Sequence, residues 1–169
     1  MSATMSAAMS AAMTVPYAYY QSFDSQSRML AAETAPPDES EIVARADQRL
    51  LEQARQQTYE LHFLTEGWNG YNALPPSTAT VDHAMRWLDS SYRACKDAGV
   101  RWYRPNVTAS AEGEVVFEWW ASDRCLLIYV EADSATFHQA LEGDGPTQHT
   151  HGDAPLGESQ TKLLRWFGE

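Results

Sequence analysis

The side chains best suited to chemistry in this chain cluster near its C-terminus. His149, His151 and Asp153 alternate in His-Thr-His-Gly-Asp, with His138, Glu142 and Asp144 nearby in the sequence. Two imidazoles and a carboxylate are a competent donor set for zinc or another divalent metal; the plainer reading is a solvated polar loop. A second candidate is Glu118, set among Phe117, Trp119 and Trp120. Buried among those rings its carboxyl would hold its proton to higher pH and serve as a general acid or base, and a meander leaves room for a pairing with His138. On the opposite strand face it would meet water or a cross-strand partner. A third is the turn carrying Trp68, Asn69, Gly70 and Tyr71. Its two rings could form a platform for a flat ligand or an anchor for a protein, or fold inward and seal the end of the core. The chain contains no Gly-x-Ser-x-Gly elbow, phosphate-binding loop, dinucleotide fingerprint, Cys-x-x-Cys or His-Glu-x-x-His, which removes support from the common enzyme classes.

The elements that must hold these groups follow from hydrophobic period. Residues 40–66 keep Val43, Ala46, Leu50, Ala54, Leu61 and Leu64 on one helical face, with acids at the start and Gly67 as the stop. Ser77 can cap a second helix whose buried stripe is Val81, Ala84, Met85, Leu88, Tyr92 and Cys95, ending at Gly99. Beyond Arg101 the period drops to two. Segments 104–110, 114–120, 125–131 and 135–141 are separated by turns too short for a parallel crossover, which predicts an antiparallel meander. Residues 142–156 read as an exposed loop, and 158–167 as a short helix packed by Leu163, Leu164, Trp166 and Phe167. The expected fold is therefore α+β: two helices on one face of a four-stranded antiparallel meander, followed by a short C-terminal helix.

Residues 1–38 form a low-complexity tail, expected to be disordered or to gain order only on a partner, ahead of a single domain over 39–169. The tail repeats Met-Ser-Ala and then gathers Tyr17, Tyr19, Tyr20 and Phe23, the part best able to dock. The 23 acids against 12 bases, a formal charge of −11, disfavour direct contact with nucleic acid or an anionic membrane. Cys95 and Cys125 lack metal-type spacing and read as reduced core thiols. Met1–Met13 has neither the basic nor the long apolar part of a signal peptide, so a cytoplasmic location is expected.

Gly-Trp-Asn-Gly-Tyr-Asn-Ala-Leu-Pro at 67–75, a helix after it, and Gly-Glu-Val-Val-Phe-Glu-Trp at 113–119 together resemble a scattered group of short uncharacterised bacterial proteins. These carry Trp-[Asp/Asn]-Gly-Tyr-x-Ala-x-Pro before a helix and a Glu-Trp strand after it. The resemblance spans about residues 60–141 and implies no activity, cofactor or catalytic set.

The expected function is a non-enzymatic interaction protein. It would be a small acidic partner or accessory subunit, of the antitoxin, immunity or defence-system type, that binds a larger and basic protein through Tyr17, Tyr19, Tyr20, Phe23, Trp68 and Tyr71. No cofactor is expected. Two alternatives stay open: a small enzyme using a divalent metal at His149, His151 and Asp153 or acid/base chemistry at Glu118 and His138, and a DNA-mimic inhibitor with carboxylates along one face.

Overall fold

The computed structural model describes residues 38–143 and 145–168. Contacts divide the chain into two units, 1–41 and 42–169. The tail through residue 37, with Tyr17, Tyr19, Tyr20 and Phe23, lies outside the described residues, as does Asp144.

Helix α1 (Glu39–Glu60) runs into a 3-10 turn (Leu61–Phe63) and is followed by helix α2 (Thr78–Asp97). The sheet strands are β1 (Asn106–Ala109), β2 (Val115–Trp120), β3 (Arg124–Val130), β4 (Ala135–Leu141) and β5 (Gln148–Asp153), and helix α3 (Glu158–Gly168) closes the order. The fold is α+β, with all five strands antiparallel in the order β1-β2-β3-β4-β5. The sequence pattern gives four strands; the fifth occupies part of the expected loop. Gln148, Thr150 and Gly152 alternate with His149, His151 and Asp153, so neither face of β5 carries the apolar residues that mark a strand in sequence. Pairing with β4 supplies what its composition lacks.

Capping explains why α2 begins and ends where it does. The Ser77 hydroxyl accepts the Thr80 backbone N–H. At the other end Gly99 (φ +63°) lets the chain reverse, with Val100 N–H on the Cys95 carbonyl (2.8 Å) and Gly99 N–H on the Lys96 carbonyl (3.2 Å). That pair of bonds satisfies two orphan carbonyls of the last turn.

The core lies between the helices and one face of the sheet. Val115, Phe117 and Trp119 of β2, Leu126, Ile128 and Val130 of β3, and Ala135 of β4 meet Val81, Ala84, Trp87 and Leu88 of α2 and Leu163 and Leu164 of α3. Trp87, absent from the expected stripe, is fully buried; it stacks on Phe117 at 5.5 Å and donates its indole N–H to the Ala154 carbonyl at 2.9 Å. An indole with a satisfied N–H can be buried whole. Gln160 is buried too. Its amide nitrogen donates to the Trp87 carbonyl (2.9 Å), and its oxygen accepts from the Ser90 hydroxyl (2.7 Å) and the Gly157 N–H (3.0 Å). The last bond is half of a capping box, so one side chain both starts α3 and ties it to α2.

Helix α1 corrects its expected face. Val43 and Leu50 are exposed, and the buried line is Leu51, Ala54, Thr58 and Leu61. Thr58 belongs to that line because its hydroxyl donates to the Ala54 carbonyl at 2.9 Å, which removes the cost of burying it. A stripe drawn through apolar residues alone passes over a threonine satisfied in this way. Arg55 then bridges α1 to α2 through Asp89 (2.7 Å).

Candidate interaction surface on the open sheet face

Strand alternation turns every second residue away from the core. The outward set comprises Val116, Glu118 and Trp120 of β2, Cys125, Leu127 and Tyr129 of β3, Thr136, His138 and Ala140 of β4, and His149, His151 and Asp153 of β5. Register arranges them in three rows. Trp120, Cys125, Ala140 and His149 lie side by side; Glu118, Leu127, His138 and His151 form the next row; Val116, Tyr129, Thr136 and Asp153 form the third. Among the described residues, all three helices contribute to the core on the opposite face, and none covers this one.

At one end of the face is a groove of about 470 Å³ bounded by Trp120, Cys125, Leu127, His138, Ala140 and His149. Trp120 is 67% exposed, a large apolar area to leave in water at the lip of an apolar floor. Arg124 reaches the rim, where its guanidinium bonds to Asp123 (2.9 Å) and to the Trp166 carbonyl (2.9 Å). Burial, with Glu118 adding to it, pushes the Cys125 thiol up. The pKa of the Tyr129 hydroxyl is raised first by burial and then by the nearby carboxylates of Glu114 and Glu118.

The residues singled out by sequence divide here. Glu118 is half-buried on the open face and accepts a hydrogen bond from Asn106 (3.1 Å). It is not enclosed by the rings that flank it in sequence, because Phe117 and Trp119 point to the other side. Within the row Leu127 stands between Glu118 and His138, so the two share a face without being cross-strand neighbours. His149, His151 and Asp153 sit on a strand instead of a loop and all face outward. Residues two apart on a strand are about 6.5 Å apart along it, so these three fan out along the edge. Among the described residues no group of three or more His, Cys, Asp or Glu side chains could hold a metal ion. What the register does bring together is His138 with His151, directly opposed with ring centroids 5.8 Å apart, and His138 against Tyr129 at 5.6 Å. Only the pairing of β5, which leaves no apolar trace in the sequence, could have announced the His138–His151 contact.

Trp68 and Tyr71 part company. Trp68 packs against the core and donates to the Leu74 carbonyl (3.3 Å), while Tyr71 is 81% exposed. The turn between them is built by Gly67 (φ +75°), by Tyr71 N–H on the Asn69 side chain (2.9 Å) and by Gly67 N–H on the Ala73 carbonyl (2.9 Å). Leu74 N–H then reaches the Ala111 carbonyl (2.9 Å), and a Cβ at Gly113 would stand 3.1 Å from the Pro75 carbonyl. The end of the 67–75 linker thus packs on the β1–β2 turn, where Gly113 permits the close approach of Leu74 and Pro75.

The open face carries aromatic, thiol and imidazole groups side by side. Burial that keeps the Cys125 thiol protonated makes it a weaker nucleophile, and His138 and His151 meet ring to ring. Aromatic, apolar, imidazole and carboxylate groups share the surface around a groove. In comparisons with family models, curated proteins and solved structures, this chain matches none.

Proposed function

We propose that the chain is a non-enzymatic protein-binding partner, an accessory, antitoxin or immunity type of subunit, which docks a larger basic protein on the open sheet face. The exposed Trp120 beside the Leu127 and Ala140 floor is the observation that supports this most directly. Binding hot spots are enriched in tryptophan seated next to an apolar pocket. Glu114, Glu118 and the overall charge of −11 favour a basic partner. The acids of the face speak less well for DNA mimicry, since Glu118 and Asp153 lie in different rows with apolar and imidazole groups between them.

The test is parallel capture at moderate salt with the tagged chain, Trp120→Ala and Leu127→Glu, each first verified as folded. The expected result is one stoichiometric basic protein held by the parent chain and lost from both variants. Retention of that protein by both variants would place binding elsewhere and overturn the reading.

A further inference from the structure

Among the described residues the sheet ends at β5, whose outer edge pairs with no further strand. Native edges are kept from pairing by brevity, proline, charged side chains (above all lysine) or a bulge, and of the charged residues β5 carries the single carboxylate of Asp153 at its end. The opposite edge, β1, has four residues and follows Pro105. Strand β5 has six exposed or half-exposed residues in unbroken register with β4, and no proline, lysine or arginine among them. Pro146 and Pro155 lie just outside it and bound the pairable stretch.

Ladder alternation fixes which backbone groups are free. Ala154 N–H bonds to the Ala135 carbonyl (2.7 Å), so 154, and with it 152, 150 and 148, turn their backbone groups toward β4. The N–H and C=O groups of His149, His151 and Asp153 therefore point outward. In one antiparallel self-pairing all three are used at once: His151 faces His151 of a second copy, and His149 faces Asp153 of that copy, twice. The pairing is self-complementary, as a twofold interface must be. Between these positions Thr150 falls opposite Gly152 of the second copy, where there is no side chain to clash.

We propose that this edge is a homodimer interface, in which two copies join β5 to β5 about a twofold axis through His151 and form one continuous sheet. The axis is perpendicular to the sheet, so both open faces lie on the same side and both Trp120 grooves stay accessible. The proposal does not depend on the docking function above; its readout is the mass of the isolated chain, whereas that function is read from partner capture.

Sedimentation of the full chain at 0.15 M salt from about 5 to about 500 μM covers the range of weak self-association. The mass is expected to rise with concentration from 18.9 kDa toward twice that value. His149→Asp would set carboxylate against carboxylate at two positions and weaken the dimer about tenfold. The double swap His149→Asp with Asp153→His restores the opposite pairs and should return affinity to within about threefold of the parent. Should His149→Asp fail to fold by circular dichroism, His151→Pro removes an outward N–H at the centre of the pairing without touching the β4 ladder and is expected to weaken the dimer likewise. A mass of 18.9 kDa at every concentration, a dimer indifferent to the single substitutions, or a double swap that stays weak would each overturn the proposal.

Discussion

Replacing Trp120 by alanine should separate binding from stability, and the size of each effect follows from where the ring sits. The side chain is 67% exposed in the isolated chain, and a buried tryptophan contributes about 150–250 Å² of contact. A partner that covers the exposed part would remove roughly 130 Å² from water, worth about 3 kcal/mol at 25 cal/mol per Å². That corresponds to a loss of more than a hundredfold in Kd, before allowance for side chains that refill the space. Folding should scarcely change, since an exposed side chain away from caps and buried polar groups costs within about 0.5 kcal/mol on truncation. Calorimetric titration with the captured partner and urea unfolding of the same two preparations measure both quantities. A binding loss under about threefold, or a stability loss above about 2 kcal/mol, would refute the assignment of Trp120 as an anchor.

Other expectations come from the core. Gln160→Leu strands the Trp87 carbonyl, the Ser90 hydroxyl and the Gly157 N–H, and should cost about 3 kcal/mol or more in urea unfolding; a cost below about 1 kcal/mol would mean that water takes over these bonds. Burial pushes the Cys95 thiol up to about 11, so the folded chain holds this proton more tightly than the unfolded one. Stability is then fully present below the ordinary thiol value of 9.0 and falls as pH rises toward about 11, a decline that Cys95→Ala should flatten in unfolding midpoints taken across that range. Gly152→Val would drive a side chain into Phe137, whose ring already stands 3.0 Å from the position of an added Cβ, and should lower the melting temperature by several degrees; an unchanged melting temperature would show that Phe137 swings aside freely.

Sequence carried those elements whose chemistry is local. Ser77 and Gly99 announce the ends of α2, and the period of two with short turns announces the strands at Val115–Trp120 and Arg124–Val130, while their apolar residues on both faces leave the buried side to the packing of the helices. Where a partner element decides the outcome, the pattern fell short. Thr58 is buried because a backbone carbonyl lies within reach, and Trp87 because Ala154 accepts its N–H. Strand β5 exists because β4 offers it a ladder, while its own residues satisfy the composition of a loop. The candidate site shares this divide. Trp120 is not marked by sequence as a site residue, because the groove beside it takes walls from β3, β4 and β5 and needs their register. His149, His151 and Asp153 look like a ligand triplet in one dimension and are spread along an edge in three.

Docking on the open face is tested most directly by side-chain resonances of the partner-bound chain. The account predicts large shifts at the Trp120 indole and the Leu127 and Ala140 groups, with Leu88 and Leu164, fully buried on the helical side, little changed. Shifts confined to α1 residues such as Val43 and Leu50, with Trp120 and Leu127 unmoved, would contradict it.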